Sequence, residues 1–211
     1  MLATVDSCVL AGLEARRVEV QADSANGETK FFLVGLAATS VKEARERVRS
    51  AIKNSGLDFP RKRLTVNLAP AEMRKEGSGL DLPIAIAIAL AEVGKRAPAR
   101  SAFLGELALD GAVRHVDGVL VAARCLKKLG FERVFVPAID ASEAALIEGL
   151  EVIPCENLAG AFAHLLGQSQ IMPQPFTEVV VDSTNGTLES DLAEVHGQSL
   201  ARKIQTAVLD R

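Results

Sequence analysis

Apolar and polar positions alternate in the N-terminal part of the chain and recur at helical spacing in several later blocks. Val5, Val9, Val18 and Val20 lie in the runs Thr4–Leu10 and Ala15–Gln21, which Gly12 separates, and predict two β-strands. Asn26-Gly27 is a turn signal and predicts that Phe31–Val34 returns as a hairpin strand. From a cap at Thr39 or Ser40, the positions Val41, Ala44, Val48, Ala51 and Ile52 predict a helix to about Ser55, with Gly56 ending it. Leu64–Leu68 predicts a strand. A charged Gly/Ser loop then feeds the apolar helix Ile84–Leu90.

Downstream, Ala102–Leu109 reads as a strand interrupted by Gly105, and Asp110-Gly111 turns it into Ala112–Val116. Asp117 is expected to cap a helix over Gly118–Leu129 that Gly130 stops. Arg133–Val136 and Glu151–Ile153 predict strands, and Ser142–Glu148 and Asn157–Leu166 predict helices. Hairpins in the first half and strand–helix alternation in the second predict an α/β (α+β) sandwich with a mixed sheet, not a uniform doubly wound one. After Gly167 the pattern changes. Pro173, Pro175 and Asn185-Gly186 predict a linker over residues 168–190, and Leu192, Val195, Leu200 and Ile204 predict a helix over 191–211. Its apolar stripe is expected either to meet a partner or to pack back on the main domain, residues 1–167.

Composition narrows the classes. With 48% hydrophobic residues a full core is available, so global disorder is excluded. The longest apolar run, Leu82–Ala91, contains Pro83 and is short for a membrane span, and Met1–Asp6 lacks the features of a signal peptide. A cytoplasmic protein without membrane contact is the expectation. Cys8, Cys125 and Cys155 form no CxxC pair, and His115, His164 and His196 show no metal-ligand spacing. Free buried thiols, structural or surface histidines and no metal site are therefore expected. The net charge of −3 is unevenly spread, since Ser40–Lys75 holds 10 Lys/Arg against 4 Asp/Glu. That asymmetry points to an anionic partner.

Several segments resemble known families. Leu104–Arg114 resembles the strand pair of the Lon protease domain and its relatives, and Lys127–Pro137 resembles the helix-to-strand signature shared by the Lon and RadA families. The combination of Thr4–Ala15, Asn67–Ala71 and Lys75–Ala85 is narrower. It resembles the N-terminal domain of the ComM/YifB family, the magnesium-chelatase-like AAA+ ATPases. The likeness runs from Met1 to about Gly167 and resumes at Asp191–Gln198, which in that family leads into the ATPase module.

The resemblance implies a two-layer, Lon-like fold of the kind also seen in domain 2 of a small-subunit ribosomal protein. For a full-length parent it implies a ring-forming hexameric ATPase that uses ATP and Mg²⁺ in DNA processing, including natural transformation and branch migration. Residues 191–211 would be the first helix toward an AAA+ module that these residues do not include, since no GxxxxGK[ST] occurs.

Lon-type hydrolysis needs a serine at the helix start after the Gly-rich loop and a lysine in the first turn of a later helix. Here the later helix begins Asp117-Gly118-Val119-Leu120, and Lys127 and Lys128 fall in its last turn. At about 1.5 Å per residue they cannot reach a serine near its first turn. No catalytic residue is expected, and Ser78 and Asp81 read as helix caps. A divergent serine peptidase and a protein-interaction module regulating a separate ATPase are the alternative functions. The basic set Lys42, Arg45, Arg49, Lys53, Arg61, Lys62, Arg63, Arg74 and Lys75 is the candidate DNA-contact surface, with a neighbouring subunit or plain solvation as rival uses of those charges. No Trp or Tyr is present and Phe numbers 8, so base stacking reads as poorly supplied and contact is expected to be with the backbone.

Overall fold

A seven-stranded mixed sheet organises the computed structural model, which describes residues 1–11, 14–35, 39–72, 75 and 78–178, with only the backbone of 39–42. Strands β1 (Leu2–Ala11) and β2 (Glu14–Ala25) form the expected hairpin, paired from Leu2↔Asp23 to Ala11↔Glu14. The second predicted hairpin does not form. β3 (Phe31–Val34) runs parallel to β4 (Arg63–Ala69), and β4 itself lies antiparallel against β2. Leu64, Val66 and Leu68 are buried while Arg63 is exposed and Thr65, Asn67 and Ala69 half-buried, so β4 offers a full apolar face that outcompetes the four-residue β3 for β2. On the other side of β1, β5 (Ser101–Phe103), β8 (Arg133–Pro137) and β9 (Glu151–Cys155) continue in parallel. Their nearly unbroken burial is that of strands covered on both faces.

One face carries α1 (Thr39–Asn54), α2 (Asp81–Val93) and α5 (Leu158–Leu165). Helix α2 is buried from Asp81 to Ala91, because its alternation of Ala with Ile or Leu packs on β1 and β2 while meeting α1 and α5. The opposite face is covered from β2 across β1, β5 and β8 to β9 by α3 (Val119–Lys128) and the short α4 (Ala141–Ala144). Thus the sheet is two-layered at β3–β4 and sandwiched toward β9. The predicted strand pair around Asp110-Gly111 forms as β6 (Glu106–Leu107) and β7 (Val113–Arg114).

Local differences from expectation have identifiable causes. Asp117 does not cap α3; Gly118, at φ 70°, occupies that position, and the Leu120 amide is satisfied by Glu143 Oε1 at 3.1 Å. A helix expected over Ser142–Glu148 shrinks to α4 followed by turns, with Ile147 N donating to Ala144 O and Leu150 N to Ile147 O. Beyond Gly167 the chain runs on as a strap over residues 168–178. Ile171 N donates to His164 Nδ1, Gln174 N to Val152 O and Thr177 N to Ala145 O. The compact unit ends at Glu178, and the predicted helix over 191–211 lies outside the described residues. No helix among the described residues is long and apolar enough to cross a membrane.

Candidate functional site

The loop after β4 carries the chemistry the sequence singled out, and its Lys75 is used internally. Lys75 is fully buried. Its Nζ donates to Gly35 O at 2.8 Å and to Pro70 O, and burial lowers its pKa. It therefore cannot serve as a surface phosphate contact: the ammonium pins the loop to the end of β3. Gly35 is required there, since a Cβ at that φ of +102° would stand 2.1 Å from Leu68 O.

Nor do Ser78 and Asp81 act as side-chain caps of α2. The Asp81 amide is met by the Ser78 carbonyl at 3.1 Å. Its buried carboxylate instead takes a bidentate pair of bonds from Arg47, at 2.8 and 3.1 Å, plus the Leu107 amide at 3.3 Å. Burial pushes the Asp81 carboxyl up, opposed by the Arg47 guanidinium and that amide. Sequence reading missed this clamp because Arg47 sits among arginines that look interchangeable in the chain.

Ser78 lines a cavity of about 380 Å³ between the start of α2, the end of β1 and the first turn of α3. Cys8, Val9, Leu80, Leu104, Val119 and Ala122 form its apolar floor, and Glu106, His115 and Asp117 stand on its polar wall. His115 Nδ1 lies 2.5 Å from Asp140 Oδ1, and Asp140 Oδ2 accepts the Val116 amide at 3.0 Å. Asp140 raises the pKa of His115. Among the described residues no lysine lines this cavity, and Lys127 donates to Gly149 O at 2.5 Å at the far end of α3. The Cys8 thiol is pushed up to about 12 by burial, which removes it as a nucleophile at neutral pH. Cys155 is buried like Cys8, and Cys125 is half-buried with its thiol donating to Ala15 O. No group of three His, Cys, Asp or Glu that could hold a metal ion occurs among the described residues.

Of the remaining basic residues, Arg45, Arg49 and Arg63 are gathered around β3. Arg45, Arg49 and Lys53 are exposed on α1, and Arg61, Lys62 and Arg63 are exposed before and at the start of β4. Arg45 Nη1 donates to Phe31 O at 3.5 Å; Arg49 lies 5.7 Å from the Phe59 ring centre, and Arg63 lies 5.2 Å from that of Phe32. Phe31 and Phe59 are 6.0 Å apart, so three of the chain's phenylalanines interleave with the arginines around β3. The count of aromatic residues gave no hint of this clustering, because Phe59 is distant in sequence from Phe31 and Phe32. Arg74 and the side chain of Lys42 lie outside the described residues.

Comparison with known proteins adds the following. The family described as subunit ChlI of Mg-chelatase matches residues 18–140. Protein YifB of Escherichia coli is 37% identical over 205 residues, which is 96% of this chain and 39% of YifB. The competence protein ComM of Haemophilus influenzae is 37% identical over 210 residues, 97% of this chain and 41% of ComM. A Lon protease of Lachnoclostridium phytofermentans is 23% identical over 161 residues, 71% of this chain and 20% of the protease. The chain thus spans about two fifths of the length of YifB and ComM.

Proposed function

Because the chain belongs to the Mg-chelatase-like AAA+ family of ChlI, YifB and ComM, we propose that it is a non-catalytic, Lon-like N-terminal domain that contacts DNA and supports assembly of a DNA-processing motor. The observation that carries the DNA contact is the basic margin around β3, where exposed Arg49 and Arg63 lie by Phe59 and Phe32, Arg45 reaches Phe31 O, and exposed Lys53, Arg61 and Lys62 stand close to them along the chain. An arginine beside a phenyl ring keeps its charge and its fork of N–H donors, which can serve phosphate oxygens. Such a surface acts on the nucleic-acid backbone and is indifferent to sequence.

The lack of peptidase activity rests on the cavity at Ser78. A serine there has no lysine to take its proton among the described residues, and the one histidine on the wall is held by Asp140. ATP, Mg²⁺ and ring formation belong, in this proposal, to a longer parent. Neither a phosphate-cradling GxxxxGK[ST] loop nor a metal-binding cluster is present in the described residues to hold them.

Titrating the chain against a fluorescent duplex over a range of salt concentrations tests the DNA reading. Affinity is expected to fall with salt, and Arg49→Ala and Arg63→Ala are each expected to reduce the slope by about one. Absence of binding at low salt, or binding that neither substitution alters, would remove DNA contact from the proposal.

A further inference from the structure

The cavity beside Ser78 is left without a task once catalysis is set aside, yet its walls are specific about what they can hold. Anions are disfavoured there. Although two helices begin at the cavity, the first-turn donors of α2 are spent, Asp81 N on Ser78 O and Leu82 N on Gly105 O, while Pro83 has none, and in α3 Leu120 N is taken by Glu143. Cations are favoured. Glu106 and Asp117 line the cavity and no Lys or Arg does so among the described residues; His115 stands between two carboxylates, Asp140 at 2.5 Å and Asp117 at 3.4 Å, so with Glu106 the wall carries more negative charge than one imidazolium can balance. Arg47 lies within electrostatic reach of Glu106, but its guanidinium is committed to Asp81.

The floor is apolar, and about 380 Å³ accommodates one or two side chains but not a folded element, since a helix with its side chains is about 10 Å across. Half-exposed Leu10, at 42%, extends the apolar floor to the surface against Gly118, so the cavity opens sideways as a trough.

We propose that this trough is a docking site for an extended peptide segment of a partner protein, one that presents an aliphatic side chain next to a lysine or arginine. The aliphatic group covers Leu80, Leu104 and Ala122, and the neighbouring cation meets Glu106 and Asp117. The Ser78 hydroxyl is then a hydrogen-bond partner for the peptide, not a nucleophile. Binding of this kind needs no bond to form or break.

Backbone amide NMR of the whole chain tests this with three capped peptides: Ala-Leu-Lys-Ala, Ala-Leu-Glu-Ala and Ala-Ser-Lys-Ala. The first is expected to shift the amides of Gly79, Val116 and Ala122 in a saturable way, and the other two to bind more weakly. Asp117→Asn alters an exposed side chain, so the fold is retained, and about fivefold weaker binding of the first peptide is expected. Ala122→Leu fills the floor and is expected to abolish binding while the remaining spectrum persists. Equal binding of the Lys and Glu peptides, shifts that map elsewhere, or full affinity in Asp117→Asn would each overturn the proposal.

Discussion

At the scale of single residues, identical side-chain types have been sorted by their surroundings into different roles. His115 and His164 show this most directly. His115 is exposed and lies 2.5 Å from Asp140, which raises its pKa; His164 is packed edge-on against Phe135 and accepts the Ile171 amide at Nδ1, and burial lowers its pKa. The signs for stability are opposite. The contribution of His115 is complete below the ordinary histidine range and is lost as pH rises through its raised folded value. The contribution of His164 is complete above that range and is lost as pH falls toward its lowered folded value. Following the two ring C–H resonances by NMR is expected to place His115 above and His164 below the usual 6.5. A reversed order would refute the assigned partners. Neither partner could be foreseen, since Asp140 and Ile171 are not sequence neighbours of these rings. Lys75 teaches the same lesson from the other side: in the chain it is one more cation of a basic run, and only the fold reveals that it is interior.

At the scale of elements, the Arg47–Asp81 clamp decides how α1 meets α2. Both bonds of the fork join the middle of α1 to the first residue of α2, and Leu107 of β6 shares the same carboxylate. Removing Arg47 would leave a buried carboxylate with a single amide donor. Arg47→Met is therefore expected to destabilise the chain by about 3 kcal/mol, read as a lower urea midpoint at unchanged slope. Arg47→Met combined with Asp81→Asn is expected to recover part of that loss, because the unpaired charge is gone. A single variant as stable as the parent would show that the clamp is incidental. Most element positions were legible in the sequence: α1, α3, α5 and the β1–β2 hairpin follow from apolar periodicity and from Gly at helix ends, and α2 from its unbroken apolar run. What periodicity could not reveal was partnership. The turn at Asn26-Gly27 looked like a hairpin because local turn chemistry carries no information about a better strand, β4, arriving later in the chain.

At the scale of the whole molecule, the sheet treats its two edges differently. β3 borders the basic margin, and among the described residues it pairs only with β4. At the other edge, β9 is met by the strap after α5 through the Val152↔Gln174 bridge, and Thr177 N ties the strap to Ala145 O at the end of α4. Composition marks residues 168–178 as the start of a linker, because Pro173 and Pro175 are read as loop residues wherever they stand. Proline is nevertheless compatible with covering an edge, since a strap needs only a few donors and Gln174, between the two prolines, supplies one. The strap is therefore part of the folded unit, and truncation separates the two readings. A chain ending at Glu178 is expected to melt within a few degrees of the full chain. One ending at Gly167 exposes the β9 edge and the apolar surface under Ile171, and its melting temperature is expected to fall by about 5 °C or more, from loss of about 2 kcal/mol. Differential scanning calorimetry on the three lengths measures this. If the two shortened chains melt together, the strap contributes nothing to the unit, and the domain closes at the end of α5.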